Sequence, residues 1–257
     1  MKTMNRLFAG VACVAVAAMA NVAQGACSFG ASGEPSLQQG FNSLFGAAAA
    51  PDAVTDCLAD GTGSGRDGVW RPTGESSATI LLELAGFADF NVFGLYDPLN
   101  PANRLDVFAG GIGPGSTASL AFENVASGTR ITVGIIGSPA PPVSAVFMSE
   151  TFGFLLSTSE GNTFLSQSGL NQDGADHSYA YRGNGASFLQ GSAAGTLFGA
   201  KDAILAYEDL VHGDNDFQDF VVLVRGVEPI PLPAAGWLLI SALVSLAARR
   251  RSAHLLA

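Results

Sequence analysis

From Ala78 onward the chain repeats one pattern, a short apolar run followed by a turn. The runs read "ATILLELA", "NVFGLY", "RLDVFA", "ASLAFENV", "RITVGII", "SAVFMSETFGFLLS", "AILAYEDL" and "DFVVLV", and Gly, Pro, Asn or Ser punctuates nearly every gap. Short strands bounded by such residues pack as two antiparallel sheets, whereas parallel sheets need crossover helices, for which nothing between the runs provides. The pattern predicts an all-β domain, a β-sandwich or jelly-roll-like fold.

Both ends depart from this pattern. Lys2 and Arg6 precede the apolar stretch "LFAGVACVAVAAMA", and "NVAQG" follows with Ala23 and Gly25 at small-residue positions. This is the order of a secretory signal peptide, with cleavage expected after Gly25. A cut before Cys27, as in a lipoprotein, is the alternative, but it needs an apolar residue where Gln24 stands. At the other end Pro229, Pro231 and Pro233 alternate in a stiff linker. An apolar run from Leu232 to Ala248 follows, near the lower limit of a transmembrane helix, and Arg249, Arg250 and Arg251 close it. Such arginines stay cytoplasmic, which places the folded part across the membrane.

This order resembles the PEP-CTERM sorting signal in its VPLPA-type variant, here Ile230-Pro231-Leu232-Pro233-Ala234 with Ile in place of the usual Val. The resemblance implies recognition by an exosortase, a membrane protease that removes the tail and releases the protein. The inner membrane would then be a transient partner, and the cell surface or extracellular matrix the destination. A plain single-span anchor is the alternative. The chain thus divides into a signal peptide (1–25), a mixed N-terminal region (26–71), a β-sandwich domain (72–226) and a sorting segment (227–257).

Between the two ends, residues 26–226 carry 7 Lys+Arg against 21 Asp+Glu, a net charge near −14. That balance argues against nucleic acid and anionic lipid and favours divalent cations. Only Cys27 and Cys57 remain after the signal is removed. In an oxidising compartment they pair most simply with each other. In the N-terminal region Leu37, Phe41, Leu44 and Phe45 fall at helical spacing, with Pro35 suited to a first helical position. "DGTGSGRDG" reads as a flexible loop.

The densest chemistry lies in "EDLVHGDNDFQDFVVLV", where Glu208, Asp209, Asp214, Asp216 and Asp219 fall within twelve residues with no lysine or arginine among them. As the rim of a hairpin, these carboxylates converge and repel, and a hard cation taking six to eight oxygens relieves the repulsion. Ca2+ fits better than zinc, since only His212 supplies nitrogen. The spacing is not that of an EF-hand, because Gln218 and Asp219 stand where a ligand and a glycine belong. "LNQDGADHSYAY" is a second oxygen-rich loop, and its Asn171 and Asp173 are candidate ligands from the same end of the sandwich. The alternative is a set of solvated turns, in which Asp and Asn bond their own backbone.

These two stretches together resemble a bacterial domain of unknown function, family 4114. The signature residues are Tyr207-Glu208-Asp209-Leu210 and Gly213-Asp214-Asn215-Asp216-Phe217-Gln218-Asp219, with Gln218 where Asn is common. The resemblance spans mainly Asn171 to Val224; it implies a secreted or surface β-rich domain and names no reaction. Catalytic signals are sparse. Asp176 and His177 are neighbours whose side chains diverge on a strand, and nothing resembles a nucleophile elbow. Paired carboxylates suit a glycoside hydrolase, but any pair among the five would qualify. The expectation is a non-catalytic, exported surface or matrix protein connected with extracellular polysaccharide. A calcium-dependent carbohydrate-binding module is the runner-up and a polysaccharide hydrolase the third reading.

Overall fold

A computed structural model describes residues 27–30, 36–58, 68–83, 90–211 and 213–230. The signal peptide, Pro35, His212, the body of the Gly-rich loop, Pro231 to Ala234 and the three terminal arginines lie outside the described residues. Among those described, no helix is long and apolar enough to cross a membrane.

Among the described residues one α-helix and eleven strands follow in chain order: α1 (Leu37–Phe45), β1 (Trp70–Glu83), β2 (Val92–Asp97), β3 (Asn100–Phe108), β4 (Thr117–Val125), β5 (Gly128–Ile135), β6 (Val143–Phe147), β7 (Gly153–Ser157), β8 (Thr163–Leu165), β9 (Ser178–Arg182), β10 (Asp202–Tyr207) and β11 (Phe220–Pro229). The strands form two antiparallel sheets of unequal size. One runs β6-β5-β4-β1-β11-β10-β9 and the other β3-β2-β7-β8. The first and last strands pair at the centre of the large sheet, which closes the fold on itself. Pro72 has no N–H to offer the ladder, and the β1–β11 register breaks directly after it.

The core between the sheets is aromatic. Phe93 stacks on Phe154 and Phe220 at 5.7 and 5.6 Å and meets Tyr207 edge-on at 6.2 Å. Trp70 and Phe152 exchange backbone hydrogen bonds (2.8 and 3.0 Å) and so tie the two sheets together where β1 and β7 begin.

A second core lies on the opposite face of the large sheet. There α1 places Leu37, Phe41, Leu44 and Phe45 against Tyr181, Ile204, Val221 and Leu223. Ser36 caps the helix ahead of Leu37: Ser36 Oγ accepts from the Gln39 N–H, and Gln39 Oε1 accepts from the Ser36 N–H. Within the N-terminal region, α1 thus adds a third layer on that face. Its presence accounts for the unbroken apolar runs of β10 and β11. Ala203, Leu205 and Tyr207 face the inter-sheet core while Ile204 and Ala206 face the helix, so neither side alternates with polar residues. The Cys27–Cys57 disulfide, with Cα atoms 6.1 Å apart, fastens this layer beside β9, where Leu58 N–H donates to the Ala180 carbonyl. Closing a loop of this length contributes on the order of 3 kcal/mol.

Candidate metal centre

The five carboxylates converge because β10 and β11 pair up to Tyr207–Phe220, which leaves Glu208 and Asp219 as the next residues on the two strands. The Asp209 N–H donates to Asp219 Oδ2 (3.0 Å), and the Glu208 N–H to the His177 carbonyl at the start of β9 (3.1 Å). The connection then folds back over the strand ends. Asn215 and Phe217 hold it there in left-handed backbone (φ 57° and 56°), which asparagine tolerates and phenylalanine ordinarily avoids. A bulky residue in that region costs about 1–3 kcal/mol. Burial offsets the cost: the Phe217 ring is 2 % exposed and stacks on Tyr179 at 3.9 Å, with Phe29 edge-on at 5.8 Å.

Within this frame Glu208, Asp209 and Asp216 are buried, Asp219 is half-buried and Asp214 is exposed. Asp216 accepts from the Gln218 N–H (3.2 Å) and from Gln218 Nε2 (2.6 Å). Asp209 Oδ2 accepts from Asn91 Nδ2 (3.0 Å). Glu208 is less well served. Its Oε2 is buried with no donor, and its carboxylate lies so close to Gly213 that a Cβ there would collide with Oε1.

The electrostatic consequence is large. Burial first, then the charges of Asp214 and Asp216, pushes the Glu208 carboxyl up to about 7 from an ordinary 4.5. Burial also leads for Asp219, with Asp209, Glu208 and Asp216 adding to it, and raises it to about 8. Asp209 is raised chiefly by burial, against the Asn91 bond that lowers it. Several mutually repelling carboxylates held out of water are the condition that a divalent cation relieves. Oxygens of Glu208, Asp209 and Asp219 lie within 4.8 Å of one another, as do those of Glu208, Asp214 and Asp216.

The second oxygen-rich loop reaches the same end of the sheet, since Ser178 pairs with Tyr207. Its side chains are engaged elsewhere. Asn171 Oδ1 accepts from the Leu165 N–H (2.7 Å) and its Nδ2 donates to the carbonyls of Leu165 and Ala175 (3.1 and 2.9 Å), extending β8 as a strand partner would. Asp173 accepts from the Ala175 N–H and pairs with His177 Nε2 at 2.9 Å, which holds its carboxyl below the usual range. His177 is therefore oriented by Asp173 rather than by Asp176, and its ring stacks on Phe164 at 3.8 Å. The side chain that does reach the rim from outside is Asn91, just before β2, through its Nδ2 bond to Asp209, and no sequence signal marks that residue.

Residues 146–227 match the family described as a domain of unknown function (DUF4114). The match covers β7 to β10 and most of β11, with all five carboxylates, and leaves out Asn91 and the first five strands. No curated protein and no solved structure shows significant similarity to the chain.

Proposed function

We propose that this chain is a non-catalytic, calcium-stabilised β module of an exported surface or extracellular-matrix protein. The observation that carries the reading is Glu208, whose Oε2 is buried without a donor among four other carboxylates. An ionised group in that position is costly unless a cation completes it. Oxygen-only ligands on a strained but anchored loop suit Ca2+, which accepts irregular geometry and high coordination. The ion closes the β10–β11 connection and so completes that hairpin of the large sheet.

Export rests on the N-terminal charged-then-apolar segment and the Pro-rich, apolar, triple-arginine tail, which favour passage through the inner membrane and release by an exosortase-type protease. Extracellular polysaccharide is the matrix partner that this destination suggests. Calorimetry and thermal melting of the full chain in detergent test the ion. Heat on calcium addition and a raised Tm are expected, both reduced in Asp214→Ala plus Asp216→Ala. Absence of both effects in the unaltered protein would remove the calcium reading. Persistence of the C-terminal segment in cells that contain an exosortase would remove the sorting reading.

A further inference from the structure

The rim carboxylates fall into two sets of three with Glu208 in both, and the sets do not merge into one. Calcium–oxygen distances of about 2.3–2.6 Å place the ligands of one ion up to about 5 Å apart. Each set thus spans a single coordination sphere, and together they need two. We propose that the rim holds two calcium ions, with the Glu208 carboxylate bridging them and the Asn91 carbonyl as a neutral ligand of the second. This rests on the calcium reading above and adds its stoichiometry and a ligand from outside the acidic segment.

Two unpartnered acceptors support the division. Glu208 Oε2 is buried with no donor, in a residue 2 % exposed. Asn91 Oδ1 is likewise buried with no donor, in a residue also 2 % exposed. The Asn91 amide touches the second set through its Nδ2 bond to Asp209 Oδ2, and its oxygen is the other end of that same planar group. A buried acceptor without a donor carries the desolvation cost of its lost water and gains nothing in return. An ion between Asn91, Asp209, Asp219 and Glu208 supplies that missing partner, and an ion among Glu208, Asp214 and Asp216 supplies the other.

Charge points the same way. Five carboxylates, with no lysine or arginine in Glu208–Val224, leave −3 after one Ca2+ and −1 after two. Glu160 faces Asp209 from the β7–β8 turn and adds to the negative field. Glu208, the member common to both sets, lies with its carboxylate directly against Gly213.

Equilibrium dialysis of the full chain against calcium chloride reads the number of ions directly. Two per chain are expected. One per chain would overturn the bridge while leaving calcium binding intact, and none would overturn both. Glu208→Gln is expected to weaken both ions at least tenfold; two ions at unchanged affinity would overturn the bridging role. Asn91→Ala is expected to weaken one ion at least tenfold and leave the other, and unchanged binding would overturn its role as a ligand. Asn91→Asp keeps the shape and supplies an oxygen in either amide orientation, so it guards against misfolding of the alanine variant. It is expected to bind the second ion at least as tightly as the parent, and weaker binding would count against Asn91.

Discussion

Removing calcium should invert the ordinary acid sensitivity of a protein with so many carboxylates. Glu208 is 2 % exposed and its carboxyl is raised from 4.5 to about 7 in the folded chain. A carboxyl with a raised folded value binds its proton more tightly in the native state than in the unfolded one. Between about pH 4.5 and 7 the native state therefore holds more protons, and stability falls as pH rises through that window. At about 1.4 kcal/mol per unit, this one group costs the ion-free protein up to about 3 kcal/mol above pH 7. At about 2–4 °C per kcal/mol for a domain of this size, Tm should drop by on the order of 10 °C from pH 5 to pH 8. Asp219, raised to about 8, acts in the same direction and extends the window upward. Differential scanning calorimetry across pH 5 to 8, in chelator and in millimolar calcium, checks this. Calcium should abolish most of the slope, because a bound cation keeps the carboxylates ionised and paired. A chelated protein whose Tm rises with pH over this range would refute the reasoning, as would a slope that calcium leaves unchanged.

Three substitutions separate the ligands from their surroundings. Gly213→Ala drives a methyl into Glu208 Oε1 and should lower calcium affinity at least tenfold by titration calorimetry. Asn171→Ala removes three hydrogen bonds at the end of β8 and should cost about 2–3 kcal/mol in urea unfolding while leaving calcium affinity within twofold. Phe41→Ala empties the contact between α1 and the large sheet, where Phe41 meets Tyr181 at 4.7 Å; it should cost about 3–5 kcal/mol by the same measure.

Most strands were legible as short apolar runs ended by a turn residue. The single run "SAVFMSETFGFLLS", however, holds both β6 and β7, β8 lies in no such run, and β9 lies inside the loop "LNQDGADHSYAY". The rim was legible because β10 and β11 flank a single acidic connection. Helix α1 was legible too, since Leu37, Phe41, Leu44 and Phe45 share one face. What escaped was the surface it covers. The continuous apolar character of "AILAY" and "FVVLV" signals burial on both faces, but periodicity alone does not say which element supplies the second cover. Asn171 and Asp173 show the opposite limit. Their residue types suit a cation and their loop reaches the correct end of the sheet, yet local bonds to Leu165, Ala175 and His177 engage both side chains. Asn91 stands 118 residues from its partner Asp209, and only tertiary pairing brings them together.

The most direct measurement is a crystal structure grown in millimolar calcium, with anomalous scattering recorded at long wavelength. The expected result is anomalous density against the Glu208 carboxylate, on both sides of it, with Asp214 and Asp216 on one side and Asp209, Asp219 and Asn91 on the other. A map without an anomalous peak at the rim, with Glu208 in contact only with protein atoms and water, would contradict the claim that these carboxylates form a calcium site.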